Sequence, residues 1–161
     1  MSWYVRNVRE MKWWDVGPRG IVTEFVDDDD DPQVGVNLFV LAPGQPMAMY
    51  HWEADQEGFL LLSGEALLII EDQERPLRQW DYFHCPPNVS HTIVGAGSGP
   101  AAILAIGARQ SQDGPAWGGY PYSEVAMRHD ASAEEETTDP EVAYARFPSG
   151  KPTEFQEGWL R

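Results

Sequence analysis

The chain has 161 residues, 42% of them hydrophobic and 12% aromatic, which suits one globular domain and excludes a disordered chain. A formal charge of −15 offers no basic face for nucleic acid and disfavours adsorption to an anionic membrane surface. A lone cysteine, Cys85, excludes an internal disulfide. Met1–Val16 lacks the basic start and apolar run of a signal peptide, and no apolar run approaches a membrane span, so the default compartment is cytoplasmic.

In chain order, Ser2–Trp14 reads as an aromatic-rich strand or arm whose Val5, Val8, Met11, Trp13 and Trp14 would cover a sheet face or a second subunit. Ile21–Val26 reads as a short strand. The acidic run Asp27–Asp31, closed by Pro32, reads as a solvated loop, because packed like charges and proline both oppose a strand ladder. It lacks the spaced Asp, Asn and Gly of a calcium loop. Strands then follow at Val34–Leu41, Met47–Trp52, Phe59–Leu62, Ala66–Ile70, Trp80–Cys85, Thr92–Val94 and Ala101–Ile106. Each ends in turn residues, such as Ala42-Pro43-Gly44, Ser63-Gly64 and Pro86-Pro87-Asn88. Short strands at this spacing predict an antiparallel barrel or sandwich. After Gly107 the pattern changes. Ser111–Tyr122 reads as a loop. Asp139-Pro140 reads as an N-cap and a first-turn proline opening about two turns of helix over Glu141–Phe147. The tail from Pro148 to Arg161 shows no regular pattern. These divisions make 1–33 an N-terminal strand arm, 34–107 the barrel core and 108–161 a C-terminal loop and helix extension.

The chemistry is expected around His51, Glu53, Glu57 and His91. His51 and Glu53 share one face of a strand, and a short turn lets Glu57 fold back toward them. Imidazole nitrogen and carboxylate oxygen are suitable ligands for Fe, Mn, Zn or Ni. His91 follows forty residues after His51, so only a barrel bringing two hairpins together makes one site of them. His84 and Cys85 are adjacent strand residues, so only one can face a pocket. Cys85 reads as a small buried hydrophobe and His129 as structural or exposed. Parity places Met47 and Met49 beside His51 on one face, and Phe59 with Leu61, which would line an apolar pocket for a small molecule. Each of these residues also has a plainer reading, as packing or as a turn salt bridge.

This arrangement resembles the cupin family. The family's first motif, G-x5-H-x-H-x3–4-E-x6-G, is met by Gly44, His51, Glu57 and Gly64, with six residues rather than five before His51 and with Glu53 in place of the second histidine. The second motif, G-x5-P-x-G-x2-H-x3-N, is met by Pro86 and His91. Asn88 replaces the middle glycine, as a residue that also adopts the left-handed conformation. Trp80 stands at the opening glycine, and Gly95 at the closing asparagine. The resemblance implies an all-β double-stranded β-helix (a jelly-roll barrel) and a homodimer. It also implies a divalent transition metal on His51, Glu57 and His91, with Glu53 either a fourth ligand or a base beside the metal.

Two functions stay open at this stage. One is a metal enzyme acting on a small molecule, such as a dioxygenase, isomerase or decarboxylase, with Glu53 or His84 as its acid or base. The other is a non-catalytic small-ligand binding or sensing protein without an essential metal. The fold does not choose between them, because function lives in the site.

Overall fold

The computed structural model describes residues 3–26, 33–111, 114 and 116–160. The acidic run Asp27–Asp31 therefore lies outside the described residues. Twelve strands are present: β1 Trp13–Asp15, β2 Ile21–Glu24, β3 Val34–Leu41, β4 Trp52–Glu53, β5 Glu57–Ser63, β6 Glu65–Ile70, β7 Gln73–Arg78, β8 Tyr82–Cys85, β9 His91–Ala96, β10 Ala101–Ala108, β11 Gly118–Gly119 and β12 Lys151–Thr153. Two short helices, α1 Glu124–Met127 and α2 Pro140–Ala143, lie in the C-terminal third.

The strands form a seven-stranded sheet in the order β12-β1-β2-β3-β10-β5-β8, a three-stranded sheet β7-β6-β9 and a two-stranded ribbon β11-β4. All the strand pairs are antiparallel. The two larger sheets face each other as a jelly-roll sandwich and do not close into the barrel anticipated above. Isolated bridges Pro46↔Val94 and His51↔His91 join the segment between β3 and β4 to β9 of the smaller sheet.

Strand periodicity decides what fills the space between the sheets. On β10, Ala101, Ile103 and Ala105 alternate inward. They meet Leu41 from β3, Phe59 and Leu61 from β5, and Ala66, Leu68 and Ile93 from the smaller sheet. At one end the inward residues are bulky and the space is filled. At the other they shrink to Gly35, Ala105 and Gly107, which lie side by side with Asn37, Phe59 and Glu57 in the register. That end stays open as a cavity.

The outer face of the large sheet is partly covered by the two chain ends. Trp13 is fully buried with Leu38 and Val40, and Phe155 and Trp159 pack edge-on or tilted against its ring at 6.1 and 5.1 Å. The tail thus contains a strand, β12, paired with β1, where the sequence showed no pattern. The predicted helix is also shorter. Asp139 caps it as expected, its carboxylate accepting the Glu141 N–H, but regular helix ends at Ala143. The predicted strand Met47–Trp52 is regular only at its end, so Met49 faces Tyr120, Ala133 and Ala143 rather than the pocket. No described helix is long and apolar enough to cross a membrane.

The motif glycines sit where backbone geometry demands them. Gly44 and Gly64 have φ of 84° and 80°, and a Cβ on Gly64 would collide with the carbonyl oxygen of Pro100. Asn88 takes the left-handed conformation at φ 64°. Trp80 does too, at φ 73°, although an aromatic side chain pays a steric penalty there and this one is 66% exposed. Two substitutions should therefore act in opposite directions. Trp80→Gly should raise unfolding stability by about 1 kcal/mol by relieving the left-handed strain. Gly64→Ala should lower it by about 1–3 kcal/mol, collision and strain together. Urea titration of both variants reads the signs directly; a destabilised Trp80→Gly would contradict the strain assignment.

Candidate metal centre

His51 and His91 are directly opposed on an antiparallel bridge. The His51 N–H donates to the His91 carbonyl at 3.1 Å and the His91 N–H to the His51 carbonyl at 2.8 Å. Residues forty positions apart are thereby held with ring centroids 4.9 Å apart. Glu57 arrives through the turn after β4. That turn is pinned by Asp55, whose carboxylate accepts the N–H and hydroxyl of Ser111, by the Ala54 N–H on the Trp117 carbonyl, and by the Ala108 N–H on the Gln56 carbonyl. β5 then starts at Glu57, opposite Gly107 and Cys85, which turns its side chain inward.

One ligand atom from each of His51, Glu57 and His91 lies within 4.8 Å of the others. The ring tautomers follow from their neighbours. The His51 Nδ1 lies 2.7 Å from the Met49 carbonyl oxygen, and the His91 Nδ1 lies 3.1 Å from that of Val89. A carbonyl oxygen only accepts, so each neutral ring carries its proton on Nδ1 and points the lone pair of Nε2 into the cavity. This is the usual second half of a metal–histidine arrangement. The Cys85 thiol also touches the His91 Nδ1, at 3.2 Å.

Electrostatics point the same way. His91 is 1% exposed and boxed by Phe59 and Phe83, with ring centroids 5.2 and 5.8 Å away. Burial, helped by the nearby His51, pushes its pKa down to about 3, so the ring stays neutral. Its Nε2 has no hydrogen-bond partner although Glu57 Oε2 is 3.3 Å away. Glu57 is pushed up to about 7, chiefly by burial and then by the charge of Glu53. Burial opposes charge on His51, but Glu53 and Glu57 outweigh it and raise its pKa. A neutral buried imidazole with a bare lone pair beside a carboxyl group reluctant to ionise is short of one cation. The donor set therefore fits a divalent metal.

Glu53 stands apart from these three. Its Oε1 lies 3.6 Å from the His51 Nε2 and its side chain is 26% exposed. It lines the cavity without belonging to the close cluster. The other catalytic candidate from the sequence, His84, is a correction. It pairs with Gly58 on β8, faces outward and is exposed, because Cys85 takes the inward position beside Glu57. Burial, with the charge of Glu57 second, holds the Cys85 thiol up at about 12, so it stays protonated and packs as a small hydrophobe. His129 lies outside this cluster, its Nε2 2.9 Å from Glu74 Oε1 at the surface.

The cluster of His51, Glu57 and His91 opens into a cavity of about 380 Å³. Its walls include Val22, Phe39, Met47, Phe59 and Trp117, with Tyr120 stacked on His51 at 6.0 Å. Arg19 and Asn37, which sequence reasoning passed over, also reach it.

Residues 37–107 match the family model for the cupin domain. Solved structures with the same fold include a sugar phosphate isomerase from a cupin superfamily of Silicibacter pomeroyi (23% identity, 64% of this chain and 62% of that one, TM-score 0.52). A predicted oxalate decarboxylase from Thermotoga maritima is also similar (18% identity, 65% and 98%, TM-score 0.59). So is a cupin 2 conserved barrel domain protein from Salinispora arenicola (16% identity, 69% and 92%, TM-score 0.56). The match spans 62% of the length of the Silicibacter protein and 63% of a similar structure from Acidithiobacillus ferrooxidans. No curated protein matches the sequence. At these identities the likenesses speak for the fold. The segment that carries both motifs is the one that matches the cupin domain model, and the fold of the chain is that of the cupin structures.

Proposed function

We propose that this cupin is a metal-dependent enzyme for a small organic molecule, with His51, Glu57 and His91 as ligands to a divalent transition metal. The observation that carries the reading is the pair of imidazoles locked with Nε2 lone pairs inward, one of them buried and unpartnered, beside Glu57. Nitrogen and carboxylate donors suit Fe, Mn, Zn or Ni. A metal held there would polarise an oxygen of the bound molecule.

The residues of the chain supply the rest. The apolar walls exclude water around the bound molecule, and Tyr120 and Met47 narrow the space above His51. Glu53, beside the cluster and partly exposed, is placed to take a proton from the ligand and pass it to solvent. A carboxylate where the family motif has histidine adds an acid or base beside the donors, as isomerisation or decarboxylation would use, while the His51, Glu57 and His91 set itself also suits non-haem iron and dioxygen. The uncovered outer face of the large sheet, with Val34, Tyr82 and Ile106 exposed, supports a homodimer.

Metal loading tests the assignment. Chelator-treated protein titrated with Zn, Mn, Ni or Fe(II) should take up one equivalent of at least one of them. His91→Ala should weaken that affinity by about a hundredfold or more, beyond what loss of a merely supporting hydrogen bond costs. Failure of every metal to load, or retention of affinity in a folded His91→Ala, would overturn the reading in favour of a metal-free binding protein.

The pH dependence has a definite sign. Without metal, Glu57 holds its proton up to about pH 7, and His51 is also raised. Below pH 7 metal must displace that proton; above it, Glu57 is already a carboxylate. Apparent affinity should therefore fall by at least roughly tenfold per pH unit below 7, and more steeply where His51 is protonated as well, with proton release on binding larger on the acid side.

Glu53→Gln separates ligand from base. A non-ligand should leave metal affinity near pH 8 within about threefold, the scale of an exposed charge pair. It should also move the break in the pH curve downward, since Glu53 helps raise Glu57. A hundredfold loss of metal would make Glu53 a fourth ligand.

A further inference from the structure

We propose that Arg19 is the anion anchor of this cavity and that the molecule bound there is a small organic acid, its carboxylate held by the Arg19 guanidinium. This rests on the reading of the cavity as a ligand site and names the ligand's class.

Arg19 reaches the cavity from a turn that the backbone holds rigidly. The 3-10 turn Gly17–Arg19 joins β1 to β2. The Gly17 N–H donates to the Asp15 carboxylate at 2.8 Å, and the Val16 N–H to the Gly20 carbonyl at 3.0 Å. Gly17 and Gly20 have φ of 64° and 85°, and a Cβ on Gly20 would lie 2.6 Å from the Val40 carbonyl oxygen. The turn therefore seats tightly against β3. The guanidinium carbon lies 4.6 Å from the ring centre of Tyr144 and 5.6 Å from that of Phe147. Tyr144 is itself anchored, its hydroxyl oxygen accepting the Met49 N–H at 3.1 Å.

This cation has aromatic faces but no acceptor. Arg19 Nε is buried without a hydrogen-bond partner. Among the described residues no carboxylate lies within ion-pair distance of it, although Glu24, Glu53, Asp55 and Glu57 all line the same cavity. A buried Nε–H is costly unless an acceptor completes it, and ring stacking leaves the guanidinium edge free for a planar two-pronged acceptor. A carboxylate matches that fork. A phosphate dianion would meet twice the repulsion from the four carboxylates.

A second buried orphan supports the same conclusion. Among the described residues only three buried side-chain polar atoms lack a partner: Arg19 Nε, Asn37 Oδ1 and His91 Nε2. All three belong to residues lining this one cavity. A metal answers His91. Arg19 and Asn37 are left for the ligand, as an anion site and an acceptor for a hydroxyl or N–H.

The test compares carboxylates from acetate to naphthoate with their primary amides, by calorimetry on chelator-treated protein, so that the metal plays no part. In the unmodified protein at least one acid should bind about tenfold or more tighter than its amide. Arg19→Gln, with an unchanged near-ultraviolet circular dichroism spectrum, should bring that ratio close to one. Arg19→Lys should restore only part of it. Equal binding of acids and amides, a preference that survives Arg19→Gln, tighter binding of inorganic phosphate, or no binding by any acid would each overturn the assignment. Because the protein carries no metal in this experiment, an acid preference seen without any capacity to load metal would sink the metal reading and leave this one standing.

Discussion

The site depends on one backbone interaction, the reciprocal pair of hydrogen bonds between His51 and His91. It sets two imidazoles side by side at the open end of the sandwich, and it does so with main-chain groups, which leaves both rings free. Carbonyl oxygens of Met49 and Val89 then choose the tautomers. Every other feature of the centre is arranged around that bridge. Glu57 enters from the adjoining strand, Phe59 and Phe83 dry out His91, and the small residues Gly35, Ala105 and Gly107 leave the space that bulky side chains fill elsewhere in the core. The same backbone alternation that packs one end of the sandwich thus hollows the other.

Much of this was legible because strands carry their pattern locally. Val34–Leu41 was read to the residue, and the glycines of the first motif marked positions that need positive φ. Asn88 also did what an asparagine in a glycine position does. What escaped lacked a local signal. β7, Gln73–Arg78, is polar on both faces because it is exposed on the sheet edge, so no alternation marks it. β12 and the tail aromatics take their order from Trp13, more than a hundred residues away in the chain. Met49 left its expected face because the segment before β4 is bridged rather than paired along its length. His84 was undecidable from sequence: parity forbade both it and Cys85 from facing inward, and only the register with Glu57 settled which one turned away.

The charge of the chain has a local meaning that its total hides. Four carboxylates border a cavity that also holds two histidines. Burial, and after it the charge of Glu53, raises the cost of ionising Glu57. A divalent cation, if bound there, would stabilise Glu57 as a carboxylate and give the buried His91 Nε2 the partner it lacks.

The division of labour along the chain follows from these forces. The matched segment 37–107 contributes the candidate donors, Glu57 and His91 from strands whose register cannot slip without turning core side chains outward, and His51 from a bridge to His91. Other lining residues come from the flanks: Arg19 from the turn before β2, Trp117 and Tyr120 from either side of β11, and Tyr144 from the end of α2. These positions are held by caps, ring stacks and a single hydroxyl contact, which tolerate exchange of side chains better than a ladder does. Candidate donors fixed by the sheets and a cavity wall supplied by the flanks is the arrangement these constraints allow. It also explains why the motifs mark His51, Glu57 and His91, which the fold brings together, but not Arg19, in a Gly-Pro-Arg-Gly turn outside both motifs.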